Sequence, residues 1–174
     1  LESILDIDVR SRKWAKEFKC SVPWAAISVS TERGDFPVLS EENRVGLLRL
    51  CFWDIANPRL GQEDALDGKL FSKEQARQVL DFVEEVWDKV KVMLIHCEAG
   101  ISRSPAIAAA ITNIKFGQGE EMPFFNRYTP NSHVYRTILN EYYGGDSRMM
   151  AFANKLVSDK AYGEILDEPW DCTK

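Results

Sequence analysis

A chain of 174 residues, 45% of them hydrophobic, can bury a core of its own, which excludes an intrinsically disordered chain. Its 22 basic and 27 acidic residues leave a net charge of −5, so neither nucleic acid nor an anionic membrane is an expected partner, although one local basic pocket is compatible with that sum. Four cysteines (Cys20, Cys51, Cys97 and Cys172) without CxxC spacing, and only two histidines, argue against a disulfide scaffold and a zinc cluster; no metal or other cofactor is expected. No apolar run reaches the roughly 18 residues of a membrane span and no stretch reads as a secretion signal, so a cytoplasmic setting is expected. A first residue of Leu1 leads us to expect further residues upstream. The organisation expected is one domain over residues 1–174, with its core at about 24–143 and a helical extension at 146–174.

In chain order, residues 1–19 mix charges with spaced apolar residues and read as a short helix or an arm. WAAISVS (24–30) reads as a strand, and 31–46 as a loop. GLLRLCFWDI (46–55) reads as a second strand running into Asp54, and 56–70 as a polar connection. Ser72 to Lys89 is the clearest helix: Ser72 and Gln75 form a capping-box pattern, and Ala76, Val79, Leu80, Val83, Val86 and Trp87 make one apolar stripe. KVMLIH (91–96) is short and almost wholly apolar, as in a strand covered on both faces. Pro105 suits the first turn of a helix reaching Ile114. A polar insert at 117–132 precedes a helix near 133–143, closed by Gly144 and Gly145, and a last helical stretch lies near 148–160. Alternating strands and helices define an α/β domain with a central, mostly parallel sheet flanked by helices. Such folds bind ligands at the carboxyl ends of their strands, where Asp54 and Cys97 both fall.

The segment VMLIHCEAGISRSPA (92–106) carries the chemistry. A loop of this length between strand and helix can curl around one small anion, with the N–H groups of Glu98, Ala99, Gly100, Ile101, Ser102 and Arg103 turned inward and the helix N-terminus behind them. Gly100 supplies conformational freedom at the tightest part of the curl. Arg103 supplies a rigid fork for two phosphate oxygens. The helix dipole, the loop amides and Arg103 all favour the thiolate of Cys97, so the environment that binds the anion also prepares a nucleophile.

HCEAGISRS (96–104) resembles the HCxxGxxRS signature of cysteine-dependent protein-tyrosine phosphatases, and GISRSPA is similar to the dual-specificity branch and its bacterial relatives. Rhodaneses and some arsenate reductases also use a cysteine-led loop, but His96 and Ser104 tilt against them. The resemblance, which covers about residues 24–143, implies a dual-specificity phosphatase-like fold. It implies Cys97 as nucleophile, Arg103 as phosphate binder, Ser104 as hydrogen-bond donor to the sulfur, and His96 as a residue that orients the loop from behind. It further implies a general acid on a nearby loop, for which Asp54 is the first candidate because it follows a strand read as the neighbour of the catalytic one. Family members keep a shorter gap than the 43 residues between Asp54 and Cys97, so Asp64 and Asp67 stay open as alternatives. Some relatives pair a second cysteine with the nucleophile on oxidation; Cys51 is a candidate redox partner, with a structural buried cysteine as the competing reading.

The activity implied is hydrolysis of a phosphomonoester through a cysteinyl-phosphate, most simply on a phosphotyrosine-containing protein, with tyrosine-only or dual specificity both open. Phe124, Phe125 and Tyr128 in the polar insert are candidates for an aromatic cleft wall or for core. Positions 98–102 hold no Lys or Arg to assist a polyanion, which favours a phosphoprotein. The competing readings are a phosphate-recognising pseudophosphatase and a phosphatase for a nucleotide or phosphoinositide.

Overall fold

The computed structural model describes residues 5–59 and 66–167. Four strands, β1 (Asp6–Ser11), β2 (Trp24–Ser30), β3 (Arg44–Cys51) and β4 (Val92–Cys97), form one parallel sheet in the order β1-β4-β2-β3. Every residue of β2, and every residue of β4 after Val92, is buried, which is why both read as continuous apolar runs. The alternation of side chains across the sheet divides the core in two. Ala25, Ile27, Val29, Met93 and Ile95 face the larger layer, made by α2 (Lys73–Val86), α3 (Arg103–Phe116), α5 (Ser132–Tyr143) and α6 (Ser147–Asp167). Trp24, Ala26 and Leu94 face a smaller layer of Ala15, Phe18 and Leu39, with Ala15 on the short helix α1 (Arg12–Lys16).

The capping box of α2 forms with both bonds, and Gln75 Nε2 also reaches Cys51 O at 2.9 Å, fastening the first turn of α2 to the end of β3. Helix α3 is buried on all sides from Arg103 to Asn113, so it is the central helix rather than an amphipathic surface one. Its alanines at 106 and 108–110 let its neighbours approach closely.

Several elements differ from the sequence reading. Residues 6–11 form a strand, not a helix or arm: Ile7 and Val9 alternate with Asp6, Asp8 and Arg10, and pack on the main core. The sheet therefore begins well ahead of residue 24. Strand β3 ends at Cys51 instead of running to Ile55, because the last ladder bond is Phe52 N–H to Ser30 O and Trp53 N–H turns away to Lys69 O. β3 is also an edge strand; β2 lies between it and β4, so Asp54 does not follow a strand adjacent to the catalytic one. Within the insert, Met122–Arg127 forms a short helix, α4. Helix α6 extends past residue 160, with Met150, Ala153, Leu156 and Val157 on the core. Among the described residues no helix is long and apolar enough to cross a membrane.

A buried carboxyl group ties α3, α4 and α5 together. Glu121 is fully buried and accepts from Asn113 Nδ2 (2.6 Å), Tyr135 Oη (2.8 Å) and Gly119 N–H (2.7 Å), while Tyr143 Oη donates to Asn113 Oδ1 (2.7 Å). Burial, reinforced by the Glu121 charge, holds the Tyr135 hydroxyl far above its ordinary pKa, so it remains a donor. Glu121→Ala strands three donors in the interior and is expected to lower unfolding free energy by about 3 kcal/mol in urea titrations, with Glu121→Gln, which keeps an acceptor oxygen, losing less.

Candidate active site

Strand β4 delivers Cys97 to the end of the sheet, and α3 begins six residues later at Arg103. The Cys97 thiol is 2% exposed. Its sulfur accepts from Gly100 N–H at 3.3 Å and shares a hydrogen bond with Ser104 Oγ at 3.1 Å. The loop can curl so tightly because Gly100 has φ +70° and lies against the end of β1: a Cβ there would stand 2.6 Å from Ser11 N and 2.7 Å from Arg10 C. Arg12 N–H donates to Glu98 O at 3.0 Å, and its guanidinium pairs with Asp35 (2.7 Å) and the exposed Glu98 carboxylate (3.6 Å). The loop thus rests on the segment that follows β1. Hydrogen bonding to Asp35 raises the Arg12 pKa and lowers that of Asp35.

Arg103 is 5% exposed. One terminal nitrogen donates to Thr31 Oγ1 and to Phe52 O, both at 2.9 Å, which fixes the guanidinium between the ends of β2 and β3. Its Nε is buried with no partner, and no carboxylate among the described residues pairs with it. A buried cation with an open donor edge fits an anion at the loop.

Ser102 precedes α3 but does not cap it with its side chain. Its hydroxyl donates instead to Asp54 Oδ1 at 2.8 Å, and Asn131 Nδ2 donates to the same oxygen at 2.7 Å. Asn131 is 1% exposed; its Oδ1 caps α5 through Val134 N–H, and its own N–H donates to Ser102 O. Thr129 N–H donates to Ile101 O, and Ser132 Oγ donates to Ala56 O. The segments 54–57, 101–102 and 129–132 are therefore one hydrogen-bonded unit, with Asp54 at the rim of the loop. Asn131 and Thr31 were not read as site residues. Asn131 carries a legible helix-cap signal, an Asn just before an apolar periodic run, but its bond to Asp54 spans 77 residues. Thr31 carries no signal.

His96 is fully buried on the smaller face, bonded to Ser28 Oγ (2.6 Å) and close to Cys97 O (3.3 Å). It does not face the loop interior. Asp67 is exposed and makes no bond to the loop, while Asp64 lies outside the described residues. The Cys51 thiol, the candidate redox partner, donates to Thr31 O at 3.4 Å. With β2 between the two strands, β3 and β4 stand about 10 Å apart, beyond the ~7 Å Cα separation a disulfide spans. A Cys51–Cys97 bond therefore needs backbone movement at the strand ends.

A cleft of about 840 Å³ opens beside Ala99 and runs along β1, with Phe124, Arg127 and Tyr128 on its far side. Phe124 and Tyr128 stack at 6.4 Å, while Phe125, which the sequence grouped with them, is in the core against Tyr135.

No protein-family model matches the chain, and no curated protein matches it. Among solved structures it is similar in fold to several phosphatases. Human DUSP28 shares 13% identity, over 90% of this chain and 94% of that one, at a TM-score of 0.47. PTPMT1 shares 12%, over 90% and 95%, at 0.48. A mouse putative dual specificity phosphatase, crystallised with zinc tungstate, shares 14%, over 91% and 86%, at 0.44. At such identities no residue role passes from them to this chain.

Burial holds the His96 pKa below its ordinary 6.5, outweighing the opposing hydrogen bond to Cys97 O. The unfolded chain then binds the extra proton below about pH 6.5. Stability from this group is full above that pH and falls as pH drops toward the folded value. Denaturation midpoints from pH 7.5 to 5 should show this slope in the wild type and a shallower one in His96→Gln.

Proposed function

We propose that the chain is a phosphomonoester hydrolase of the cysteine-dependent kind, acting on phosphotyrosine in proteins. The observation that carries the reading is the buried Arg103, its Nε unpartnered, beside a thiol that already accepts from the loop. Cys97 Sγ attacks phosphorus in line; the S–P bond forms as the ester P–O bond breaks. Arg103 and the loop amides hold the equatorial oxygens, where charge develops in the transition state. Asp54 gives the leaving oxygen its proton. Its Oδ1 is occupied by Ser102 and Asn131, which leaves Oδ2 to carry that proton. In the second half, water attacks phosphorus and loses a proton to Asp54, the S–P bond breaks, and Ser104 Oγ, 3.1 Å from the sulfur, donates to the departing thiolate. Inorganic phosphate leaves and the enzyme returns to its starting state.

Cys97→Ser is expected to abolish turnover of p-nitrophenyl phosphate. Asp54→Asn should lower kcat roughly 100-fold on a phosphotyrosine peptide, whose leaving group needs the proton, and far less on p-nitrophenyl phosphate. Equal rates for Asp54→Asn and wild type on the peptide would remove Asp54 from the acid role.

Asn131→Asp offers a separate check on positioning. It keeps a capping oxygen for α5 but sets a second carboxylate against Asp54, and like charges disfavour ionisation. The limb of the kcat–pH profile that reports loss of the acid's proton should move to higher pH, with KM little changed. An unmoved profile leaves Asn131 a structural cap alone.

A further inference from the structure

The outer edge of β1 forms one wall of the cleft beside Ala99. Among the described residues β1 pairs with β4 alone. In a parallel ladder, alternate residues turn both main-chain groups toward the same neighbour. Asp6 N–H donates to Lys91 O at 2.9 Å and Arg12 N–H to Glu98 O at 3.0 Å, which sets the phase: even-numbered residues bond toward β4. The N–H and C=O groups of Ile7 and Val9 therefore point away from the sheet, and both residues line the cleft. Ser11 is level with Cys97 in the register, so this edge leads to the nucleophile, with Val9 about 7 Å back along the strand.

The chemistry of the walls selects an occupant. An open strand edge recognises main chain, which a nucleotide or a lipid headgroup lacks. Asp6 and Asp8 stand in the same cleft with Arg10 and Arg127, and Arg10 is bonded to Asp8 at 2.8 Å, so the lining is charge-balanced and gives a polyanionic headgroup no net attraction. Opposite β1, the stacked Phe124 and Tyr128 give a flat apolar face for alternate side chains of an extended segment. Ala99 belongs to the catalytic loop, so cleft and reaction centre are continuous.

We infer that the segment flanking the phosphorylated residue of a polypeptide substrate lies in this cleft as a strand added to β1, bonded to the main chain of Ile7 and Val9. The inference rests on the hydrolase reading above and narrows its substrate to extended polypeptide.

Wild-type protein is assayed with N-acetyl phosphotyrosine amide, p-nitrophenyl phosphate and an eleven-residue alanine–serine peptide with a central phosphotyrosine. Two further peptides are N-methylated on both flanks, one at positions one and three from the phosphotyrosine, the other at two and four. Strand pairing uses alternate residues. One methylated set should therefore lose about tenfold in kcat/KM while the other keeps the parent value, the loss matching two main-chain hydrogen bonds. Equal effects of the two sets, no effect of either, or a parent peptide no faster than the capped amino acid overturns the inference. A peptide kcat/KM that falls as enzyme concentration rises assigns the edge to a second copy of the chain and overturns it too. Absence of turnover with every substrate, p-nitrophenyl phosphate included, sinks the hydrolase reading itself and the inference with it.

Discussion

A guanidinium buried with no carboxylate beside it among the described residues constrains the arrangement around Arg103. Removing that charge from water is costly unless its donors find acceptors. Two are met by Thr31 Oγ1 and Phe52 O, which come from just past β2 and just past β3. The Arg103 Nε is left without a partner. Because all four strands are parallel, their carboxyl ends gather on one side of the sheet, and each contributes something there. The end of β1 supports Gly100, those of β2 and β3 hold Arg103, and β4 carries Cys97.

A second consequence concerns Ser102. A serine before a helix ordinarily caps it. Here its hydroxyl serves Asp54, and the first turn of α3 keeps its N–H groups free of a side-chain cap, as an anion-binding helix end requires. Asn131 performs both tasks at once, capping α5 with its oxygen and holding Asp54 with its amide. The position of the aspartate therefore depends on where α5 starts. The buried Glu121 network, which joins α3, α4 and α5, in turn holds that helix and the aromatic wall of the cleft relative to the loop.

The elements read best from sequence were those specified by local chemistry. The strand 24–30, the capped helix after Ser72 and the strand–loop–helix at 92–116 each carry their own pattern, in apolar runs, cap residues and a proline at the first turn. Strand β1 was missed because its alternation lasts only six residues amid charges, and a strand that short takes its stability from pairing with β4. Sheet order was misjudged for a related reason. Chain order places 46–55 just before the helix leading to β4, but the intervening β2 is set by which strands bury each other's faces. That ordering separated Cys51 from Cys97 and moved the aspartate's strand to the edge.

The sequence by itself determined the α/β class, the strand-to-helix turn that begins at Cys97, and the presence of an arginine and a serine at its far side. These follow from residues within one turn of each other, whose spacing leaves little choice of conformation. The tertiary structure alone decided that Arg103 has no carboxylate partner among the described residues, that Asp54 rather than Asp67 is bonded to the loop, that Asn131 secures it, and that the edge of β1 opens into the cleft. Each of those depends on contacts between residues tens of positions apart. Such contacts are chosen by how the layers pack and by which buried polar groups must find partners, and no local pattern encodes them.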